Sequence, residues 1–137
     1  MIGISNKTIY AIAAIYQLTL IKKEERLKIK EIASRAEVPQ KFLEQILLEL
    51  KKSAILKSTK GAKGGYSLAK PISEITLKDI IKTLENNPFS DMCKTNNPIL
   101  KYFWKEKKRA LEELFNTPLD QLKTYQDEVS KNFNYMI

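Results

Sequence analysis

The sequence predicts a mainly helical α+β fold, with a compact N-terminal unit followed by a long helix. Three observations carry that expectation. Apolar residues recur at three- and four-residue spacing through the first fifty residues, as amphipathic helices require. The run Leu56 to Leu68 then changes character: two strand-like segments flank a tip, Lys60 to Gly65, that holds three of the chain's four glycines and two lysines. Finally, Pro98 to Asn116 is a long amphipathic stretch behind a polar, proline-punctuated loop. Glycine lets the backbone turn tightly and approach another surface closely, and lysine brings positive charge to that point. Helix, turn, helix and basic hairpin in that order read as a winged helix, a fold that grips duplex DNA.

Taken in order, Ser5 can cap a first helix running to about Ile21. Ile9, Ile12, Ala13, Tyr16 and Leu20 mark one of its faces and Ala11, Ala14, Ile15 and Leu18 a second, so it must be covered on more than one side. Lys22 to Arg26 is a charged turn. Ile29 to Ala36 is a short helix with Ile29, Ile32 and Ala33 inward. Glu37, Val38 and Pro39 form the turn, with Pro39 at a helix start, and the next helix runs from about Gln40 to Lys52 on Leu43, Ile46, Leu47 and Leu50. Strands are expected near Ile55–Thr59 and Tyr66–Ala69. Thr76 with Asp79 resembles a capping box that opens another helix. Thr117 to Asp120 repeats that logic, with Pro118 at the first helical position. Asn86 to Pro98 is a loop. The long helix carries the stripe Leu100, Phe103, Trp104, Lys107, Leu111 and Leu114, and the tail beyond Val129 is expected to fray.

The charge is unevenly placed. Residues 1–70 carry 14 Lys/Arg against 6 Asp/Glu, the whole net charge of +8, and residues 71–137 carry ten of each. A polyanion-binding half joined to a neutral half is the simple reading. No apolar run approaches the roughly 20 residues of a membrane span, and a cytoplasmic setting is expected. The absence of histidine removes the commonest general base and metal ligand. The wing glycines lack the spacing of a nucleotide-phosphate loop. An enzyme has little to stand on. Cys93, the single cysteine, excludes an intramolecular disulfide and leaves two readings, an inert loop thiol or a redox switch.

Binding has definite residues. With the four apolar positions inward, the 40–52 helix shows Lys41, Glu44, Gln45, Leu48 and Lys52 outward. Gln pairs with adenine, Glu accepts from cytosine N4, and Lys reaches guanine or phosphate; the competing reading makes them solvated residues in local i,i+3 and i,i+4 pairs. On the wing, Lys60 and Lys63 are expected at phosphate or in the minor groove, with Gly61, Gly64 and Gly65 permitting close approach. Tyr66 is expected under the wing. Helix one and the Leu100, Phe103, Trp104, Leu111 and Leu114 stripe expose more apolar surface than one small domain covers, so a dimer is expected.

Four segments together carry a resemblance: Ser5 with Tyr10-Ala11, the run Phe42 to Ile46, the wing Lys60 to Ala69, and Ile75 to Ile80. They resemble the Rrf-two family of winged-helix transcription regulators, in order over about residues 2–130. The resemblance implies a homodimeric regulator of double-stranded DNA with a pseudo-palindromic operator, whose long helix crosses to its partner. It implies a winged helix-turn-helix over 1–84 (helix-turn-helix about 28–51, wing about 56–69), an effector loop over 85–98, and a dimerisation helix with C-terminal segment over 99–137. It places Gln40, Lys41, Glu44 and Gln45 at base and backbone contacts, Lys60 and Gly61 at the wing-tip contact, and Ser5 and Lys7 near phosphate. Cluster-binding members carry three cysteines in the loop; here one remains, so no metal or iron–sulfur cofactor is expected. The effector, a small molecule or a protein, stays open. The rival from another class is a protein-interaction module that docks a metabolic enzyme through the long helix and loop.

Overall fold

The computed structural model of the chain describes residues 3–90 and 93–136. Six α-helices and a two-stranded hairpin follow in the order α1 (Asn6–Thr19), α2 (Ile29–Ala36), α3 (Gln40–Lys52), β1 (Leu56–Thr59), β2 (Gly65–Leu68), α4 (Leu77–Leu84), α5 (Pro98–Phe115) and α6 (Gln121–Met136). A 3-10 turn at Ile72–Glu74 leads into α4. This is the winged-helix order: α1 to α3 pack with α4, and the hairpin closes the unit.

The core forms where the periodicities converge. Ala11, Ala14, Ile15 and Leu18 of α1, Ile32 of α2, Leu43, Ile46, Leu47 and Leu50 of α3, and Ile80 and Leu84 of α4 are buried in one cluster with Leu27, Ile55, Leu56 and Ile75. Each buried Leu or Ile is worth roughly 1.5–3 kcal/mol of removed apolar surface. The other face expected on this helix is only partly covered: Ile12 and Ala13 pack against the core, whereas Ile9 and Leu20 are exposed.

The turn between α2 and α3 is closed by Glu37 in the left-handed conformation (φ 56°, ψ 44°) and by Val38 N donating to Ala33 O at 3.0 Å. Pro39 precedes the first helical residue as N-cap, one position earlier than a Pro at the first helical position. In the wing, Leu56 pairs with Leu68 and Thr59 with Gly65, antiparallel. Leu27 bridges Tyr66 as a one-residue third strand. Gly65 needs its missing side chain twice over: its φ is +141°, and a Cβ there would come within 2.6 Å of Leu27 O. Tyr66 is half-buried against the core, as expected. Thr76 and Asp79 form the expected capping box, Asp79 N to Thr76 Oγ1 at 3.1 Å and Thr76 N to Asp79 Oδ2 at 3.0 Å.

The structure corrects the sequence reading in several places. α1 ends at Thr19 rather than Ile21, β1 starts one residue later than expected and ends at Thr59 as expected, and β2 is shifted one residue toward the N-terminus. Thr117 and Pro118 do not open a helix. Pro118 bridges Thr76, Leu77 N donates to Thr117 O and Leu119 N to Ile75 O, and α6 begins only at Gln121. That bridge carries Leu119 into the N-terminal core, so the 99–137 segment is tied to the first unit rather than merely appended. The tail does not fray at Val129; α6 runs to Met136.

Candidate nucleic-acid interface

The first turn of α1 and the first turns of α3 meet at one end of the molecule. Ser5, Lys7, Tyr10, Lys41, Phe42 and Gln45 line a groove of about 560 Å³ between them. Ser5 caps α1 by accepting from Lys7 N at 3.3 Å. Its own N–H and hydroxyl donate to Glu85 Oε2 at 3.0 and 2.8 Å, and the Thr8 hydroxyl donates to the same oxygen at 2.8 Å. Burial works against the charge on Glu85, but those three hydrogen bonds and the positive Lys7 outweigh it and hold the carboxyl below its ordinary value of 4.5. The end of α4 thus fixes the start of α1, and with it Lys7.

On α3 the outward residues are where the pattern put them: Gln40, Lys41, Glu44, Gln45, Leu48 and Lys52 are all exposed. Phe42 also reaches solvent, 46% exposed, and stacks on Tyr10 with ring centroids 5.8 Å apart. The Lys41 ammonium lies 5.1 Å from the Phe42 ring, a cation–π contact that holds the lysine at the groove mouth. Gln40 and Glu44 share this end of α3 but do not line the groove. Gln45 Nε2 donates to Glu49 Oε1 at 3.3 Å, and Lys7 Nζ stands 3.8 Å from Glu49 Oε2.

The wing tip forms a separate exposed element. Lys60, Gly61 and Lys63 are open to solvent, and Gly64 N donates to Gly61 O at 3.0 Å to close the turn. Arg26 Nε donates to Thr59 Oγ1 at 2.9 Å and braces the base of the hairpin. Phe42, Glu49 and Glu85 went unpredicted. An exposed Phe at the start of a helix with a full apolar face was the available signal for the first. The two acids act across elements, and nothing local marks them.

α5 has no buried residue along its 18 positions. Leu100, Phe103, Trp104 and Leu114 are exposed, with Ile99 and Tyr102; Leu111 is half-buried and turns more toward its own chain. Phe103 and Trp104 meet edge to face at 5.0 Å, and Lys107 caps Phe103 at 5.2 Å. Between α4 and α5, Cys93 is half-buried and its thiol donates to Thr95 O at 3.4 Å. Lys94 beside it, a cation that favours a thiolate, is exposed, and Asp91, an acid that opposes one, lies outside the described residues. Among the described residues no group of three or more His, Cys, Asp or Glu side chains is placed to hold a metal ion, and no helix is long and apolar enough to cross a membrane.

Comparison with known proteins agrees with this layout. A family model described as "Rrf2: Iron-dependent Transcriptional regulator" matches residues 4–130. The HTH-type transcriptional regulator CymR of Bacillus subtilis is 29% identical over 137 residues, covering 98% of this chain and 99% of that protein. Protein rrf2 of Nitratidesulfovibrio vulgaris is 27% identical over 122 residues, covering 83% and 81%. Among solved structures, CymR, described as the global cysteine regulator of B. subtilis, superposes with a TM-score of 0.80 at 30% identity, over 91% of this chain and 98% of that one. IscR of T. potens gives 0.77 at 29% identity, over 93% and 90%.

Proposed function

The chain belongs to the Rrf2 family of HTH-type transcriptional regulators, and on that premise we propose that it binds a pseudo-palindromic operator as a homodimer, α3 entering the major groove and the wing meeting the flanking backbone or minor groove. Family membership sets it among regulators rather than enzymes. The observation that carries the reading is the joint exposure of Lys41, Glu44 and Gln45 at the start of α3, where a groove-entering helix presents its base contacts. Lys7 shares one groove with Lys41 and Gln45, and Lys60 and Lys63 add positive charge at the wing. Gln40 and Gly61 complete the contact set, Gly61 through its backbone, and Ser5 sits near phosphate at the start of α1.

In this reading residues 1–84 bind DNA, 85–98 form the effector loop and 99–137 make the dimer. The unpartnered apolar side of α5 supports the last assignment. A signal at the loop or at the dimer helices then shifts the population between spacings of the two α3 helices. Cys93 is the candidate for a redox input through sulfenic acid or a disulfide. The same exposed α5 face supports a second reading, docking of a metabolic enzyme.

The iron dependence in the family description does not fit this chain's donors. Clusters are held mostly by Cys thiolates, with His as the substitute; one Cys and no His per chain fall short of a site even when doubled by symmetry. Protein purified without oxygen is expected to be colourless, and stoichiometric iron and sulfide would contradict that.

The test of DNA binding is a salt titration. A dimer neutralising six to ten phosphates loses on the order of 10³-fold or more in duplex affinity between roughly 50 and 200 mM salt. A flat profile, or equal preference for single strands, contradicts the proposal.

A further inference from the structure

We propose that Glu49 is a positioning residue: it holds the Gln45 side-chain amide in the orientation that pairs with adenine and repels guanine, and so sets base choice at that point of the operator. The inference rests on the reading of Gln45 as a base-contacting residue.

Glu49 sits one turn after Gln45 on α3. Its side chain is 27% exposed, and its Oε2 is shut off from solvent without a hydrogen-bond partner among the described residues. Lys7 Nζ, reaching across from α1, stands 3.8 Å from that oxygen. The other oxygen, Oε1, accepts from Gln45 Nε2 at 3.3 Å. The carboxylate is therefore held by a cation on one side and by an amide on the other. Lys7 also offsets the negative charge that an acid on this face sets against phosphate.

The chemistry of the acceptor decides what Gln45 can read. An ionised carboxylate accepts only. Of the two ends of the Gln45 amide, the NH2 end must face Glu49; the flipped amide would set carbonyl oxygen against carboxylate oxygen. One N–H is thus consumed. The remaining N–H and Oε1 form a donor–acceptor pair, which adenine matches with its N7 acceptor and N6 amine. Guanine offers two acceptors, N7 and O6, so Oε1 would face O6. An untethered glutamine escapes that conflict by turning its NH2 toward guanine. Cytosine satisfies only Oε1 through its N4 amine, and thymine O4 satisfies only the remaining N–H. The expected order is adenine first, then the single contacts of cytosine and thymine, with guanine disfavoured by the O6 that faces Oε1.

The test uses an operator selected from random duplexes and its single-base variants, with wild type, Gln45→Ala, Glu49→Met and the double variant. The readout is the affinity ratio of adenine to guanine at the position where Gln45→Ala lowers discrimination. Any change in phosphate attraction cancels in that ratio. Wild type should prefer adenine by about tenfold or more. Glu49→Met should bring the ratio close to one, and should change nothing further once Gln45 is alanine. A ratio that survives Glu49→Met while Gln45→Ala abolishes it overturns the positioning role and leaves the Gln45 contact standing. An effect of Glu49→Met that persists without Gln45 also overturns it. If Gln45→Ala alters preference nowhere, the underlying contact fails and the proposal with it. Should Glu49→Met not fold, NMR of the wild type decides: the Gln45 side-chain amide resonances should lie away from random-coil positions and show cross-peaks to the Glu49 side chain, and random-coil resonances without them overturn the proposal.

Discussion

At the scale of single residues, the acids of the first unit do more than balance charge. Glu85 accepts three hydrogen bonds from the start of α1, and its carboxyl is held below the ordinary value. A group whose folded pKa is depressed stabilises the fold above its unfolded pKa, and that contribution is lost as pH falls through the folded value. Thermal melts should show wild type losing stability below about pH 4.5 more steeply than Glu85→Gln, with the two curves converging in acid; parallel curves would remove Glu85 as an anchor. The DNA-facing residues divide differently. Lys60→Ala and Lys63→Ala should weaken all duplexes alike, whereas Gln45→Ala should cost about 1–3 kcal/mol on the operator and little on random DNA. Equal losses on both would place α3 in another rotation. Positions such as Gln45 were readable in the sequence because four apolar neighbours fix which face of α3 is left. Glu85 was not: its donors lie 77 and 80 positions away, and no local pattern encodes such a pair.

At the scale of elements, equal strings take different fates. Thr76 to Asp79 and Thr117 to Asp120 carry the same capping chemistry, and only the first is used as a cap. The second is drawn into a bridge with the first, so tertiary pairing overrode a local preference. The wing was legible because its glycines are required where they stand. A Cβ on Gly64 would overlap Thr59 O, so Gly64→Ala should distort the hairpin and reduce duplex affinity while the far-UV helical signal persists. Unchanged affinity would show that the tip does not contact DNA. The long helix was legible as amphipathic, but the sequence could not say which part of its stripe is spare. The structure leaves Leu100, Phe103 and Leu114 open and turns Leu111 inward. Phe103→Glu should therefore convert a dimer to a monomer by sedimentation without unfolding it. A dimer that survives that substitution would move the interface elsewhere.

At the scale of the whole molecule, charge and spare apolar surface belong to different elements. The basic excess lies in residues 1–70, with Lys7 and Lys41 on the groove between α1 and α3, and the spare apolar face lies on α5. Two copies joined through α5 would present two basic ends, and a two-fold protein asks for a two-fold site. The fold class was readable because helix periodicity, turn chemistry and the wing glycines point the same way; the operator and signal depend on partners that the chain does not encode locally. Two-fold operator binding is tested by hydroxyl-radical footprinting on an operator selected from random duplexes. Two protected patches related by a dyad are expected, their centres about 10 bp or a whole multiple of that apart, with both patches lost together in Phe103→Glu. A single protected half-site bound with undiminished affinity by a monomer would contradict it.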